Sequence, residues 1–251
     1  SAGYYLDLLR PAREYYRGGP FDMHARGLSG ERLDYAHRTH FRMADAFSLD
    51  PEILPLTAEQ ERLVIGGEAA LWTEVVSEPM LDQRVWPRAA AIAERFWSPA
   101  SVRDTNDMEH RLPHIEAELE ALVLHTPHDR QAMIDDFGTR NPEAIANLVD
   151  VTSPVRNYTI NRMAKKTGDA ILSWPVAIAT PDSFTAMRFN RLAEVYVQGD
   201  RSVEPVLRRD LRQWSDNDPV FESISEGNAD LKMVRPISAQ LAALARLGLD
   251  V

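Results

Sequence analysis

Only two runs of this 251-residue chain have the composition of a buried β-strand, and both lie in its first third. Residues 4–9 are short, aromatic and apolar, and residues 63–72 are mostly apolar with a pair of glycines inside. Such runs, bounded by polar and proline-containing stretches, predict strands that are buried on both faces. Two strands cannot close a sheet on itself, and each would keep an edge without a partner.

The rest of the chain has the spacing of helices and loops. A helix is predicted over residues 84–97, with Pro87 near its first turn and Ser98-Pro99 at its end. Asp182 or Ser183 can cap a helix that runs to Val197 and ends at Gly199. Three more apolar stripes recur at helical spacing: Met108, Leu112, Ile115, Leu119 and Leu122; Val203, Leu207, Leu211 and Trp214; and Leu241, Leu244 and Leu247. We place a domain boundary near residue 128, which separates residues 1–127 from a mainly helical region over residues 128–251.

Composition limits the kinds of partner. The chain has 28 Lys and Arg against 38 Asp and Glu, a formal net charge of −10. An acidic chain without a basic stripe argues against nucleic acid and against an anionic membrane surface. It contains no cysteine, which excludes disulfides, thiolate metal sites and cysteine nucleophiles. No apolar run is long enough to predict a membrane span.

Both predicted strands end in the same pattern, an aromatic residue, one other residue and an acid. The first strand gives Tyr5-Leu6-Asp7, and the second gives Trp72-Thr73-Glu74. Residues two apart on a strand point to the same face, so each strand end can present a ring and a carboxylate together. A ring offers a flat apolar face to a pyranose, and a carboxylate accepts strong hydrogen bonds from hydroxyls. The structural alternative stays open, because such aromatic residues also fill cores and such acids also cap helices or form salt bridges.

Two longer motifs carry a family resemblance. Residues 66–74 have the sequence GGEAALWTE, and residues 81–98 have the sequence LDQRVWPRAAAIAERFWS. Together they resemble the last barrel strand and the following helix of β-N-acetylhexosaminidases of glycoside hydrolase family 20. The run YYLD at residues 4–7 resembles the preceding strand of that family. The resemblance implies an α/β fold, in which residues 1–127 are the C-terminal part of a (β/α)8 TIM barrel with its last two strands and their helices. It also implies a mainly α-helical extension over residues 128–251.

The resemblance assigns roles to four residues. Tyr5 matches the tyrosine that donates a hydrogen bond to the acetamido oxygen of the substrate. Asp7 and Glu74 match acids that bind outer hydroxyls of the terminal sugar, and Trp72 matches a tryptophan that lines the pocket. Thr73 stands where the family frequently has Gly, and Ala70 where it frequently has Cys; the resemblance implies no sugar contact at either position. Five other motif residues are interpreted as structural: Glu68, Trp86, Arg88, Glu94 and Arg95.

The family implies a retaining hydrolysis of terminal non-reducing N-acetylhexosamine residues, in which the substrate's acetamido oxygen is the nucleophile. An adjacent Asp-Glu pair assists it, and no Asp-Glu dipeptide occurs in this chain. Asp135-Asp136 is a poor substitute, because it lies in a polar, helical context. We therefore expect the catalytic pair and the missing N-terminal portion of the barrel to lie outside these residues, and this fragment alone to be inactive.

Other readings remain open. The chain is alternatively part of a non-catalytic carbohydrate-binding protein with the same fold, or residues 128–251 form an interaction module. His110 and His114 are four apart, but the HExxH pattern is absent, so no metal site is predicted. No cofactor is implied, an oligomer is possible, and the resemblance favours a periplasmic or secreted location.

Overall fold

The computed structural model describes residues 4–17, 57–73, 76–122, 124, 126–156 and 175–250, and across these ranges the chain is mainly α-helical. None of the helices described is both long and apolar enough to cross a membrane. The helices are α1 (Ala12–Tyr16), α2 (Ala58–Glu61), α3 (Leu81–Val85), α4 (Arg88–Trp97), α5 (Thr105–Ala121), α6 (Thr126–Asp135), α7 (Pro142–Val149), α8 (Pro175–Ile178), α9 (Phe184–Val197), α10 (Glu204–Ser225) and α11 (Ala229–Leu249).

The two predicted strands lie side by side, but they pair at one point. Tyr5 and Ala70 form a parallel bridge, in which Leu6 N donates to Ala70 O at 2.8 Å and Ala70 N donates to Tyr4 O at 3.0 Å. Immediately after the bridge the first segment turns into a 3-10 helix, Leu6–Leu8. The prediction of two regular strands is therefore wrong for the described residues, although the parallel neighbour relation is as expected.

The second segment is also not buried as predicted. Leu63 is 78 % exposed and Ile65 is fully exposed, and Trp72 is 56 % exposed. The physical reason is that a strand is buried only when elements cover both of its faces and both of its edges. Within the described ranges, the one backbone neighbour of this segment is the bridge at Tyr5.

Gly67 explains why a glycine is needed in that segment. A Cβ atom at this position would lie 2.6 Å from the ring of Phe96 on α4, which is far inside van der Waals contact. The backbone of this segment therefore lies directly against the ring of Phe96, as expected for a glycine that allows close backbone approach.

Helix boundaries were predicted well where local signals are strong. Ser183 caps α9 through its hydroxyl, which accepts from Ala186 N, and α9 ends before Gly199 at φ +108°. The helix predicted over residues 84–97 is instead two helices, α3 and α4, separated by Trp86 and Pro87. A proline cannot donate a backbone hydrogen bond within a helix, which accounts for the break.

Three cores hold the elements together. The first joins α6, α7, α8, α10 and α11, and it includes Met80, which precedes the predicted boundary at residue 128. The second lies between α1, α4 and α5, and the third joins Tyr4 and Leu6 to α1 and α4. On α11 the buried positions include Leu231, Val234, Ala242 and Ala245, whereas Leu244 and Leu247 are exposed.

Candidate functional site

The bridge brings the two predicted halves of the site together. Tyr5 is half-buried and is paired with Ala70, two residues before Trp72. Asp7 is buried and lies in the 3-10 helix rather than on a strand. The strand alternation that was expected to place Tyr5 and Asp7 on one face therefore does not apply. Glu74 lies outside the described residues, and the roles of all four residues stay predictions.

The backbone that carries Tyr5 is fixed from α1. The hydroxyl of Tyr15 donates to Tyr5 O at 2.6 Å. The ring of Tyr4 stacks on Tyr15 with centroids 6.2 Å apart and meets Phe96 edge-on at 4.9 Å. Burial raises the pKa of Tyr15 to about 12, so its hydroxyl keeps its proton and remains a donor throughout the physiological range.

Arg88 fixes the next turn of the same segment. Its guanidinium donates to Leu6 O at 2.8 Å and to Arg10 O at 3.3 Å, and it also donates to Arg84 O on the preceding helix. Arg88 is completely buried, and desolvation lowers its pKa while interactions with Tyr15, Asp182 and Asp7 oppose that shift. The interpretation of Arg88 as structural thus matches its contacts.

A second buried arginine, which the sequence did not single out, connects the family motif to the helical region. Arg84 donates to Ala177 O and, at 3.4 Å, to Ala179 O. Gln83 donates to Ala177 O at 3.4 Å. Desolvation, followed by the nearby charge of Arg88, lowers the pKa of Arg84 to about 9. These two side chains therefore hold the end of α8 and the residue that follows it against α3.

Asp182 follows that stretch and contacts α1 across 170 residues of sequence. Its Oδ1 accepts from Ala12 N at 2.8 Å, and Ala12 is the first residue of α1. Asp182 is 5 % exposed, and among the described residues its Oδ2 has no hydrogen-bond partner. Burial raises the pKa of Asp182 to about 6, an effect that Arg88 partly opposes.

The other motif residues have structural contacts. Glu94 forms a 3.0 Å ion pair with Arg111 of α5, which agrees with the expectation that it pairs rather than catalyses. Arg95 donates to Ala100 O at 3.5 Å at the end of α4. Asp135 and Asp136 are both exposed, and Asp135 accepts from Gln131. Their exposure is unlike that of a catalytic acid held in a pocket.

His110 and His114 each contact a residue of their own helix, four positions away. His110 Nδ1 lies 2.8 Å from Asn106 O, and His114 lies 3.3 Å from Glu118. No group of three possible metal ligands occurs in the part of the chain that the structure describes.

A pH-dependent loss of stability is expected from Glu116 on α5. Burial, with Glu120 nearby, raises the pKa of Glu116 to about 7, while Arg130 lowers it and Asp182 raises it. A raised carboxyl pKa means that the folded state binds a proton more tightly, so this stabilisation is present below the ordinary pKa of 4.5 and is lost as the pH rises to about 7.

Glu116→Gln should therefore flatten the fall in unfolding free energy between pH 4.5 and pH 8, measured by urea titration. Glu59→Gln, at an exposed position on α2, is the control and should leave the slope unchanged. Parallel slopes for Glu116→Gln and the parent chain would contradict the assignment.

Comparisons with known proteins agree with the motifs. The sequence profile of "Glycosyl hydrolase family 20, catalytic domain" matches residues 3–100. The chain is 44 % identical over 66 residues to the β-hexosaminidase subunit beta of Felis catus, an alignment that covers 26 % of this chain and 12 % of that protein. It is 43 % identical over 75 residues to the β-hexosaminidase subunit alpha of Mus musculus, over 30 % of this chain and 14 % of that protein.

A solved structure extends the likeness to the helical region. The chain superimposes on a chitobiase of Flavobacterium johnsoniae with a TM-score of 0.76 and 24 % identity, covering 100 % of this chain and 35 % of the other. At that identity the likeness concerns the fold alone. The chain spans only 12 to 14 % of the length of these two curated relatives. The family resemblance indicated by the motifs is therefore confirmed over residues 3–100, which contain the run at residues 4–7 and both longer motifs.

Proposed function

We propose that the full-length protein that contains this chain hydrolyses terminal non-reducing N-acetylhexosamine residues of a glycan. The observation that carries this proposal is the Tyr5–Ala70 bridge, which sets the run at residues 4–7 beside the family motif at residues 66–74. The names of the relatives, β-hexosaminidase subunits of several mammals, support the same reaction class. In this proposal residues 4–7 and 72–74 supply one part of the sugar pocket.

The proposed chemistry is a retaining, substrate-assisted hydrolysis. The acetamido oxygen of the substrate attacks its own anomeric carbon, and the Tyr5 hydroxyl donates to that oxygen and orients it. The bond from the anomeric carbon to the leaving oxygen breaks, and a carboxylic acid protonates that oxygen. Water then opens the cyclic intermediate. This chain contains no Asp-Glu dipeptide, so the proposal requires the acid pair to lie outside these residues.

Trp72 supplies the platform in this scheme. Its ring is more than half exposed on the surface beside the bridge, and an indole face packs well against the apolar C–H surface of a pyranose. The exposed Leu63 and Ile65 continue the same segment. We propose that the remaining strands of the barrel cover these aliphatic side chains and leave the ring of Trp72 facing the pocket.

Glu74→Gln in the full-length protein should lower kcat/KM on nitrophenyl N-acetylglucosaminide and galactosaminide by about tenfold or more, because hydrogen bonds to a charged acceptor contribute about 1.5–3 kcal/mol. The two substrates should be affected unequally, because they differ in the orientation of one outer hydroxyl. Glu78→Gln, an exposed acid four residues further along the chain, is the control. Unchanged kinetics on both substrates would remove Glu74 from the site.

A non-catalytic carbohydrate-binding protein with the same fold is the second candidate, because the proposed sugar contacts of Asp7, Trp72 and Glu74 do not themselves require an acid pair. The two candidates differ in one assay of the full-length protein. Release of nitrophenol from the N-acetylglucosaminide supports the hydrolase, whereas calorimetric binding of N-acetylglucosamine without turnover supports the binding protein. Neither turnover nor binding would contradict the sugar assignment as a whole.

A further inference from the structure

We propose that Asp182, in the helical region beyond the family motif, is a positioning residue for the Tyr5–Asp7 segment, so that this region forms part of the support of the sugar pocket. The proposal rests on the function proposed above. It assigns Asp182 no contact with substrate.

The first step is the contact with α1. Asp182 Oδ1 accepts the backbone N–H of Ala12 at 2.8 Å. The residue that precedes α1, Pro11, provides no side-chain cap, so a carboxylate 170 residues away performs that role. Helix starts favour an acceptor of negative charge because the first N–H groups have no partner within the helix.

A second contact from the same side holds α1. Arg156 forms a 3.0 Å ion pair with Glu14, which lies in the first turn of α1. Two residues beyond the predicted boundary at residue 128, Asp182 and Arg156, thus fix this short helix, which lies before that boundary. A five-residue helix is too short to be stable by itself, so its position depends on such tertiary contacts.

The second step runs from α1 to Tyr5. Tyr15, in the last turn of α1, donates to Tyr5 O at 2.6 Å and stacks on Tyr4. A displacement of α1 therefore moves the backbone carbonyl of the residue whose side chain is proposed to orient the acetamido group. Small errors in such positioning are costly for catalysis even when they arise far from the reacting atoms.

The third step is electrostatic and involves Arg88. This cation is completely buried, and its guanidinium donates to the neutral backbone carbonyls of Leu6, Arg10 and Arg84. A buried charge requires compensation by a charge of opposite sign. Asp182 and Asp7 are the two carboxylates that act on it. Asp182 thereby shares the compensation with Asp7, the predicted hydroxyl-binding acid.

The position of Asp182 is itself well defined. Gln83 and Arg84 hold the carbonyls of Ala177 and Ala179 just before it, and the cap at Ser183 holds the chain just after it. Asp182 also lines a cavity of about 190 Å³, shared with Arg88 and Glu116. It is thus a carboxylate held on both sides and directed toward the α1 start.

Two variants of the full-length protein separate the hydrogen bond from the charge. Asp182→Ala removes both, whereas Asp182→Asn keeps an oxygen that accepts from Ala12 N. On nitrophenyl N-acetylglucosaminide, Asp182→Ala should lower kcat by about tenfold with KM changed by less than about threefold. Asp182→Asn should recover part of that loss. Asp210→Asn is the matched control, because Asp210 is equally buried but pairs with Arg188 and Arg209 away from α1.

Hydrogen exchange followed by mass spectrometry supplies a readout that needs no activity. In Asp182→Ala, amides of residues 4–17 should exchange at least about tenfold faster while α11 is unchanged, whereas Asp210→Asn should leave residues 4–17 unchanged. If Asp182→Ala does not fold, Asp182→Asn is compared with the parent protein instead; because it still removes the charge, exchange at residues 4–17 should rise, by less than about tenfold. Unchanged exchange at residues 4–17, the same increase in Asp210→Asn, or an unaltered kcat would each overturn the proposal. An inactive parent protein with the predicted exchange pattern would reject the proposed hydrolysis and keep the structural link to Asp182.

Discussion

Replacing Arg88 with methionine should lower the free energy of unfolding of this chain by about 4 kcal/mol, as expected when one member of a buried charge network is removed. Methionine fills a similar volume, so the loss is one of hydrogen bonds and charge rather than of packing. The carbonyls of Leu6, Arg10 and Arg84 lose the hydrogen bonds from Arg88, while Leu6 O keeps its bond from Leu9 N. Each buried acceptor left without a partner costs about 1–3 kcal/mol.

Urea unfolding followed by circular dichroism of the helices measures this difference. Arg103→Met is the control, because Arg103 is exposed and surface substitutions usually change stability by less than about 0.5 kcal/mol. A loss below about 1 kcal/mol for Arg88→Met would show that its hydrogen bonds are readily replaced by water. That result would contradict the view that Arg88 holds the Tyr5–Asp7 turn.

Tyr5→Phe in the full-length protein should lower kcat by about 100-fold, the scale seen when one preorganised donor is removed from a reacting oxygen. KM should change little, because the hydroxyl acts most strongly while the acetamido oxygen attacks. The substitution keeps the ring, the bridge with Ala70 and the bond from Tyr15 to the Tyr5 carbonyl. The effect is therefore assigned to the hydroxyl alone.

Steady-state kinetics on nitrophenyl N-acetylglucosaminide provide the measurement. Tyr196→Phe is a matched control, because its ring lies 3.9 Å from the guanidinium of Arg201 on the surface of the helical region. An unaltered turnover number for Tyr5→Phe would reject the assigned role. An equal loss for Tyr196→Phe would point to a general loss of structure.

Local features of the fold could be predicted from sequence because their causes are local. The cap at Ser183, the end of α9 before Gly199 and the buried Met108 and Leu112 of α5 all follow from residues within one or two turns. The break at Trp86 and Pro87 was also signalled by the proline, but it was placed inside one helix rather than between two.

The strands could not be predicted as reliably, because burial of a strand depends on its neighbours. Residues 63–72 have a buried-strand composition, yet Ile65 is fully exposed in the described structure. Burial on α11 also depends on neighbouring elements, because apolar residues occupy two sides of this helix and only one side is packed. Leu244 and Leu247 form a regular stripe, but Leu231 and Val234 belong to the side that packs on α10 and α8.

The supporting residues of the site depend on contacts between distant parts of the chain. Asp182 meets Ala12 across 170 residues, and Arg84 meets Ala177 across 93. The sequence marks Asp182 only as a possible cap of α9, whereas in the structure Asp182 caps α1 and Ser183 caps α9. No spacing within the sequence signals such a pairing. Arg88 was predicted to be structural from the family motif, but its hydrogen-bond partners could not be predicted.

The central claim is that Tyr5, Asp7, Trp72 and Glu74 surround one sugar. A crystal structure of the full-length protein with bound N-acetylglucosamine tests it most directly. The account predicts the Tyr5 hydroxyl about 3 Å from the acetamido oxygen, the carboxylates of Asp7 and Glu74 on the outer hydroxyls, and the Trp72 ring against the sugar. A sugar bound elsewhere, or these side chains turned away from it, would contradict the account.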